Sequence, residues 1–531
     1  MTHANSAHEA WATRLGLVLA MAGNAVGLGN FLRFPRQAVL NDGGTFMVAY
    51  FVCFLLLGLP LMWMEWGIGR HGGRFRKGHV PGMFASLWKH PAAKYLGVIG
   101  LVIPMMVFVY YTYIESWTLA FTVYSLTGAY DGLESTDSMM GFLRSFQGVV
   151  PSGQHAWWVP YAFFTVTLLV NLWIVSKGIS RGIERLARIG MPILLGFAVI
   201  LAVVVWTLPA GPGGETAADG FAFIYTPNWD RLGDSEIWLA AAGQIFFTLS
   251  VGMGSLQAYA SYLSRKDDVL LSGVATASTN EAVEVVLGGS IAIPAAVVFF
   301  GVAGATSIAA SGSFNLGFAT MPVIFQSLPL GGLLGFLWFG LLFVAGITSS
   351  VAMATPVIAF FREEFGMRRE TVTWGLGSVV FFLGLAHITW LGHGFLDEWD
   401  YWAGTLGLVV FAALEVILFV WVFGPERAWQ SLHEGADIRL PRIFKWVMTF
   451  VTPLLLFLLL GWWLVSDAIP ILRLEISPEG SPLSPDHVPY VLLSRALMVL
   501  IAVAFVVLVR QAWRRNRYDD RTGFKENGVS P

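Results

Sequence analysis

Apolar stretches long enough to cross a lipid bilayer recur along the whole chain, and this repetition restricts the possible folds more than any other feature. A membrane-spanning helix needs about 20 predominantly apolar residues. Twelve such runs lie at 15–32, 46–66, 95–121, 157–175, 191–206, 238–262, 282–301, 333–361, 372–391, 402–423, 446–465 and 489–509. With 56% hydrophobic and 12% charged residues, the chain also has too little polar surface for a soluble globule of 531 residues. The pattern predicts an all-α integral membrane protein with twelve transmembrane helices.

Lysine and arginine are concentrated in every second connection, which indicates how the chain is oriented. Arg70, Arg74 and Lys77 follow the second run, Lys177 and Arg181 follow the fourth, and basic residues also follow the sixth, eighth, tenth and twelfth. Cytoplasmic loops carry the excess of these residues. We therefore expect a multi-pass protein of the inner (plasma) membrane with both termini in the cytoplasm.

Charge and cysteine content exclude other classes of protein. The net charge is −2, and the basic residues form short clusters, so no extended surface for nucleic acid is expected. Cys53 is the single cysteine and cannot form an internal disulfide. No phosphate-cradling G-x-x-x-x-G-K-[ST] motif occurs, and we expect no enzymatic activity and no catalytic residues.

The first apolar run contains residues that weaken a helix. Residues 23–35 read G-N-A-V-G-L-G-N-F-L-R-F-P. Inside a bilayer, non-helical backbone persists only where it is buried in protein or lines a wet cavity, so this segment predicts an unwound stretch whose carbonyl groups can bind a cation. The alternative is a glycine-lined contact between helices. That alternative accounts for Gly23 and Gly27 but not for Asn24, Asn30 or Arg33.

A second segment, S-V-G-M-G at 250–254, echoes A-V-G-L-G at 25–29. Five runs separate the two segments, an odd number, so their helices enter the membrane from opposite sides. Paired glycine-interrupted helices in corresponding halves of a chain indicate a transporter with inverted repeats and a binding site near the middle of the membrane.

Longer motifs carry a resemblance to a known family. W-A-T-R-L-G at 11–16, the segment 23–35, Y-Y-T-Y-I-E-S-W at 110–117, G-Q-I-F-F-T-L-S at 243–250 and A-G-I-T-S-S at 345–350 resemble the neurotransmitter:sodium symporter family, and most closely its bacterial leucine-transporting members. The resemblance implies inverted five-helix repeats with broken helices one and six. The expected divisions are a cytoplasmic segment 1–13, the first repeat with the start of the second at 14–268, the rest of the second repeat at 269–424, two further spans at 425–512, and a cytoplasmic tail 513–531.

The resemblance also implies an amino-acid substrate where the two broken helices meet. Backbone groups of Leu28 and Gly29 and the hydroxyl of Tyr111 are expected to bind the substrate carboxylate, and nearby carbonyl groups its amine. The full set of expected substrate contacts is Asn24, Ala25, Leu28, Gly29, Val107, Tyr111, Phe247, Thr248, Ser250, Met253, Ser349 and Met353.

Two Na⁺ sites are implied in the same way. The first would use Ala25, Asn30, Thr248, Asn280 and the substrate carboxylate. The second would use Gly23, Val26, Ala345, Thr348 and Ser349, without a formal negative charge. Serine and threonine in a membrane helix usually bond to their own backbone, so the hydroxyl pair taken by itself would favour that ordinary interpretation.

Glu284 lies one helical turn after Asn280, next to the first expected sodium site. In the family, a carboxylate at this position replaces a chloride ion, so the resemblance implies transport without chloride. The alternative is a structural glutamate hydrogen-bonded to its neighbours. Glu65 and Glu281 are buried ionisable candidates to which we assign no transport role.

Two gates are expected. The resemblance places Arg33 and Asp400 across the outer access path, and they should pair when the site closes. At the cytoplasmic side the family pairs an arginine with an aspartate, and the matching positions here are His8 and Glu363. Arg14 or Arg362 could serve the inner gate in place of His8.

Methionine at 253 and 353 suggests a pocket that adapts to several side chains. Together with the family resemblance, this leads us to expect sodium-coupled import of hydrophobic L-amino acids. Leucine and methionine are the expected substrates, and aromatic amino acids are a further possibility. A proton-coupled transporter of the same architecture and a transporter-like amino-acid sensor remain alternatives. The expected partners are the amino acid and the lipid bilayer, and both a monomer and a homodimer stay open.

Overall fold

The computed structural model of the protein describes residues 11–150, 155–312, 314–516 and 518. This part of the chain is helical and forms no β-strand; Ile476 and Pro482 make an isolated bridge. The all-α prediction is confirmed.

Ten helical segments of the described chain are long and apolar enough to cross a membrane. They are Gly44–Gly73, Ala93–Thr127, Val159–Ser176, Ile179–Trp206, Val269–Ser311, Gly331–Phe365, Arg369–Thr389, Phe395–Val422, Ile443–Leu472 and Pro485–Asn516. Each coincides with a predicted run. The first and sixth predicted runs form shorter helices instead, so the count of twelve spans remains a prediction.

Shorter helices connect the long ones: Val80–Leu87, Thr136–Phe146, Ala217–Tyr225, Trp229–Arg231, Leu316–Gln326, Leu391–His393 and Pro425–His433. Several long helices also contain wide turns with i→i+5 pairing. Two of these turns, Ala282–Gly288 and Asp400–Gly407, contain the candidate residues Glu284 and Asp400. Wide turns of this kind are frequent at functional sites, where they re-aim side chains.

The first broken helix consists of helices Arg14–Ala25, Leu28–Phe31 and Arg33–Leu40. Its main interruption is short. Val26 lies at φ −70°, ψ 98° and Gly27 at φ −125°, ψ −164°, both extended. The freed N–H of Gly27 donates to Asn30 Oδ1 at 2.8 Å, which supplies the partner that the helix no longer provides.

The second broken helix consists of helices Ser235–Thr248 and Ser255–Ala260. Its interruption is longer and more strongly bent. Ser250 (φ 53°), Gly252 (φ 75°) and Gly254 (φ 81°) have left-handed backbone, which glycine adopts without the steric cost that a side chain imposes. The Gly252 N–H donates to the buried carboxylate of Glu65 at 2.5 Å. This break is therefore anchored by a side chain from another helix.

Both breaks are buried at the centre of the bundle. The first half of the first broken helix packs against Arg185–Trp206, Val269–Glu281 and Gly331–Phe365, and the two halves of the second pack against Gly44–Cys53 and Leu59–Gly73. Helices Gly331–Phe365 and Ile99–Thr127 run along each other beside the breaks. These two continuous helices close the space between the two interrupted ones.

Candidate functional site

A cavity lies where the two breaks meet the continuous helices. The space among its lining atoms, together with the solvent at its mouth, amounts to about 300 Å³. Ten of the twelve expected substrate contacts line it: Ala25, Gly29, Val107, Tyr111, Phe247, Thr248, Ser250, Met253, Ser349 and Met353. Gly27 and Asn30 complete the lining. The sequence therefore located the cavity, although it assigned Asn30 to an ion and left out Gly27.

The remaining two expected contacts lie behind the cavity wall. The Asn24 carbonyl accepts a hydrogen bond from Ser250 Oγ at 3.0 Å, and its amide donates to Ser255 Oγ at 3.1 Å. Asn24 thus ties the first break to the second. The Leu28 N–H donates to the Tyr111 hydroxyl at 2.9 Å. This contact holds the hydroxyl at the start of helix Leu28–Phe31.

One wall of the site carries a group of amides around a carboxylate. We call Asn30, Gln244, Thr248, Asn280 and Glu284 the amide–carboxylate cluster. Asn30 Nδ2 lies 2.9 Å from Asn280 Oδ1 and 3.1 Å from both Thr248 Oγ1 and Glu284 Oε2. The other oxygen of Glu284 accepts from Gln244 Nε2 at 2.6 Å, and Thr248 also donates to this carboxylate.

The amide–carboxylate cluster is fully enclosed, since Asn30, Asn280 and Glu284 have no exposed surface. A carboxylate at such a place needs hydrogen bonds or an opposite charge. Three neutral donors meet it, and no Lys or Arg of the described chain forms an ion pair with it. A cation bound here would balance the charge of the Glu284 carboxylate in its ionised form.

A second group of oxygens lies on the other side of the first break. We call Gly23, Val26, Ala345, Thr348 and Ser349 the hydroxyl–carbonyl cluster. Ser349 Oγ is 3.2 Å from the Gly23 carbonyl oxygen and 3.4 Å from that of Val26. Thr348 Oγ1 is 3.0 Å from the Ala345 carbonyl oxygen.

The hydroxyls of Thr348 and Ser349 make different kinds of contact. Thr348 bonds only to carbonyls of its own helix, the pattern that any membrane threonine adopts. Ser349 instead reaches across to the unwound backbone of the first broken helix. Ser349 therefore lies among uncharged carbonyl oxygens of the first break, and hard ligands of this kind suit a hard cation. Within the described residues no group of three or more His, Cys, Asp or Glu could hold a metal ion.

The residues expected at the outer gate lie near the cavity but are not joined to each other. The Arg33 guanidinium lies 4.6 Å from the centre of the Phe247 ring, and Phe247 lines the cavity. Asp400 accepts a hydrogen bond from Tyr110 at 2.7 Å. Among the described residues, no ion pair links Arg33 to Asp400, and Tyr110 is a neighbour that the sequence did not assign.

The residues expected at the inner gate are only partly described. His8 lies outside the described residues. Glu363 accepts hydrogen bonds from the Gly78 N–H at 2.8 and 3.0 Å and lies 3.6 Å from His79 Nε2. Of the alternatives, Arg14 pairs with Asp437 at 3.1 Å, and Arg362 already has an interaction partner.

The sequence singled out Glu65 without giving it a role and did not single out Gln257 or Glu415, the other side chains that hold the second break in place. Glu65 accepts from Gly252, and Gln257, just beyond the break, donates to Glu415. Both carboxylates are fully buried. An isolated acid in an apolar run is the signal that could have found them, because such a residue requires a buried polar partner.

Known proteins resemble the whole of this arrangement. A model of the sodium:neurotransmitter symporter family matches residues 8–139 and 134–511. A sodium-dependent transporter of Methanocaldococcus jannaschii is 29% identical over 457 residues, which cover 84% of this chain and 89% of the relative. Sodium- and chloride-dependent glycine transporter 2 of Xenopus laevis is 25% identical over 527 residues, which cover 86% of this chain and 64% of that protein.

A solved structure has the same fold. The crystal structure of MhsT in complex with L-phenylalanine superposes with a TM-score of 0.72 at 28% sequence identity, over 85% of this chain and 99% of MhsT. The similarity extends well beyond the motifs around the cavity.

Proposed function

The chain belongs to the sodium:neurotransmitter symporter family, and from that premise we propose that it imports hydrophobic L-amino acids together with sodium by alternating access. The observation that carries the proposal is the cavity between the two broken helices, with its apolar lining and its two oxygen clusters. The bound L-phenylalanine of MhsT supports a substrate of this chemical class.

We assign the polar end of the cavity to the backbone of the amino acid. The carboxylate would lie beside Tyr111 and the backbone N–H groups of Leu28 and Gly29, because the start of helix Leu28–Phe31 favours an anion. The Leu28 N–H, which donates to the Tyr111 hydroxyl in the structure, would then donate to the carboxylate. The amine would meet the carbonyl groups near Ala25 and Phe247. The apolar side chain would occupy the space lined by Val107, Phe247, Met253, Ser349 and Met353, where methionine adapts to leucine, methionine or an aromatic ring.

The first sodium ion would bind at the amide–carboxylate cluster. Its ligands would be the Ala25 carbonyl, the side-chain oxygens of Asn30, Thr248 and Asn280, and the substrate carboxylate. Since the substrate completes this site, sodium and amino acid would bind as one unit.

The second sodium ion would bind at the hydroxyl–carbonyl cluster, which contains no ionisable side chain. Its ligands come from the first half of the first broken helix and from helix Gly331–Phe365. A sodium ion there would hold the two helices together, so its release would be linked to their separation.

Transport would not require chloride. Glu284 already provides a buried negative charge beside the first sodium site, and a chloride ion at the same place would meet like-charge repulsion. This proposal separates the chain from relatives such as the chloride-dependent glycine transporter.

The energetics allow strong accumulation. Each charge that crosses a potential of 100 mV gains about 2.3 kcal/mol, so two sodium ions with a net-neutral amino acid would gain about 4.6 kcal/mol. At about 1.4 kcal/mol per tenfold change, this supports roughly a thousandfold accumulation before any sodium gradient is counted.

The gates complete the cycle. Arg33 and Asp400 would close the outer path, and His8 with Glu363 would contribute to closing the inner one. We propose the inner (plasma) membrane as the location, with both termini cytoplasmic.

The test is uptake of labelled leucine into proteoliposomes under an inward sodium gradient. Unlabelled hydrophobic amino acids should compete and charged ones should not; preferential displacement by charged amino acids would contradict the substrate class. Replacement of external sodium by potassium should abolish uptake, whereas replacement of chloride by gluconate should not. Counterflow of labelled leucine in sodium-loaded vesicles distinguishes a carrier from a sensor, since a sensor binds without exchange.

A matched pair of variants tests the cavity itself. Tyr111→Phe should greatly weaken leucine binding because it removes the hydroxyl proposed for the carboxylate. Tyr113→Phe removes another buried hydroxyl from the same helix, outside the cavity, and should leave binding unchanged. Equal effects of the two substitutions would contradict the assignment.

A further inference from the structure

A second, larger groove lies between the start of segment Ala93–Thr127 and the end of helix Val488–Asn516, and it shares no lining residue with the transport cavity. The space between its atoms amounts to about 1160 Å³, and it is open to the outside. Lys94, Arg510 and Arg514 bring basic groups to it, and Tyr95, Trp513 and Tyr518 bring aromatic rings. No part of the proposed transport cycle uses these residues.

The position of the groove is set by one face of helix Val488–Asn516. Val499, Val503 and Val506 are 62%, 53% and 39% exposed, and with Arg510 and Arg514 they recur every three or four residues. Residues at this spacing share one helix face. The face therefore changes from apolar to basic along the helix, as expected where a helix leaves the hydrocarbon layer.

The aromatic residues support the same location. Tyrosine and tryptophan are enriched at the boundary between hydrocarbon and water, where one edge of the ring stays polar. Trp513 is buried at the base of the groove, and the Lys94 ammonium lies 5.6 Å from its ring centre and 5.2 Å from that of Tyr95. The groove thus lies at the level of lipid headgroups.

The charges of the groove are only partly balanced. Behind it, Lys77 pairs with the buried Glu364 at 2.5 Å and donates to the Tyr518 hydroxyl at 2.9 Å. Glu364 is engaged further by His79 and Asn516. In contrast, Arg510 and Arg514 are exposed and form no ion pair within the part of the chain that the structure describes. Two guanidinium groups with no such partner favour a bound anion, and arginine matches phosphate oxygens especially well.

We propose that this groove binds one acidic phospholipid, with the headgroup phosphate at Arg510 and Arg514 and an acyl chain along Val506, Val503 and Val499. A lipid fits better than a free phosphate because the apolar stripe runs directly into the basic groove. The site would hold a lipid at this end of the helix bundle, independent of the sodium and amino-acid sites.

The experiment uses the purified, delipidated full-length protein and counts bound lipid by native mass spectrometry. Phosphatidylglycerol and phosphatidylcholine with identical acyl chains are titrated in parallel. The groove variant is Arg510→Gln with Arg514→Gln. The matched control is Arg181→Gln with Arg185→Gln, which removes two exposed arginines at the same four-residue spacing from another helix end.

The expected result is one tightly bound phosphatidylglycerol in the parent and in the control variant, with much weaker binding of phosphatidylcholine. The groove variant should lose about 30-fold in affinity for phosphatidylglycerol, since each basic side chain near a headgroup contributes about 1 kcal/mol and 1.4 kcal/mol is tenfold. Equal melting temperatures of the two variants would show that folding is not the cause.

Three results would overturn the proposal. Equal losses in both variants would show diffuse attraction by net charge. Equal affinity for the two lipids would show that the net negative charge of the headgroup is not recognised. Displacement of the lipid by inorganic phosphate or by chain-free glycerophosphoglycerol at equal concentration would show an anion site without a role for the acyl chain.

Discussion

The amide–carboxylate cluster and the hydroxyl–carbonyl cluster both adjoin the first break, yet they are built differently. The first contains a buried carboxylate, Glu284, held by amides and a hydroxyl. The second contains only backbone carbonyls and two hydroxyls. A cation at the first cluster neutralises a charge that is costly to bury, whereas a cation at the second adds an unbalanced one.

This difference suggests distinct tasks. In the proposed mechanism, the first cluster would retain sodium strongly and share it with a substrate carboxylate. The second should bind more weakly and respond more to the distance between helix Arg14–Ala25 and helix Gly331–Phe365, because its oxygens come from both.

Removal of the Glu284 charge should have the largest effect. Glu284→Ser is expected to lower leucine transport in chloride-free medium by at least about 100-fold, because loss of one partner of a buried charged pair costs about 3 kcal/mol or more. Added chloride should restore transport, since the anion can occupy the vacated volume. The measurement is uptake at graded chloride concentrations.

The control for this prediction is Glu115→Ser, which removes another fully buried carboxylate, one that accepts from Asn171 at 3.0 Å. Chloride should not rescue it. Normal chloride-free transport by Glu284→Ser would show that the first cluster does not need its charge, and the contrast between the clusters would disappear.

The second prediction concerns the hydroxyl–carbonyl cluster. Thr348→Val keeps the side-chain shape and removes one oxygen, so the sodium concentration for half-maximal transport should rise about tenfold, in line with about 1.5 kcal/mol for one lost contact to a charged group. Chloride should have no influence on this variant. The measurement is the sodium dependence of uptake at saturating leucine.

Thr118→Val provides the comparison. Thr118 is also buried and bonds to its own helix, at 2.6 Å from the Glu115 carbonyl oxygen, but it lies outside both clusters. If Thr118→Val shifted the sodium dependence as much as Thr348→Val, the hydroxyl of Thr348 would be an ordinary helix contact.

The sequence predicts where the two helix breaks lie, but not how each break is built. Glycine and asparagine in residues 23–35 and the S-V-G-M-G segment locate the breaks, because local composition determines where a membrane helix can unwind. The sequence does not show that one break spans two residues and the other about six. It also does not show that Glu65, some 187 positions away, holds Gly252. Partners this distant leave no local pattern.

The outer gate shows the same limit. Arg33 and Asp400 are recognisable from the family resemblance, but the contact of Arg33 with the Phe247 ring and that of Asp400 with Tyr110 depend on packing. Which neighbour a charged side chain contacts depends on how distant parts of the chain pack together, and the sequence around that side chain does not show it.

The third prediction uses this gate to test whether the clusters act independently of the outer path. Asp400→Asn keeps an acceptor for Tyr110 and removes the charge that Arg33 would meet on closure. Bound leucine should dissociate up to about fivefold faster, since a water-accessible ion pair contributes at most about 1 kcal/mol. The sodium dependence should not change.

Asp131→Asn, at an exposed residue in a connection predicted to lie on the same side, is the matched control and should leave dissociation unaltered. The measurement is a chase of labelled leucine with excess unlabelled leucine. An unchanged dissociation rate and transport rate in Asp400→Asn would contradict the gating role.

The smallest effect is expected at the inner side, where the N-terminal segment connects to the hydroxyl–carbonyl cluster through one helix. Helix Arg14–Ala25 approaches the cluster at Gly23, and just before its start Trp11 donates to the Tyr259 carbonyl at 3.2 Å and Thr13 to Glu184 at 3.1 Å. An interaction that holds the start of helix Arg14–Ala25 in place also holds the carbonyls of Gly23 and Val26 near Ser349. Inner closure and sodium at the second cluster should therefore support each other, whereas the first cluster should be insensitive.

His8 precedes Trp11 by three residues, and its charge would act on Glu363. A histidine titrates at about pH 6.5, so the attraction is present below that pH and is lost as internal pH rises through it. Glu363 already receives two contacts from the Gly78 N–H, and an ion pair this close to water contributes less than about 1 kcal/mol. The ratio of inward-open to closed protein should thus rise less than about fivefold with pH.

Spin-label distances across the inner vestibule measure this ratio. His8→Arg should stay closed at every pH because arginine keeps its charge, and His8→Ala should be shifted toward the open state without pH dependence. Identical pH curves for the parent and both variants would rule out a role of His8 in inner closure.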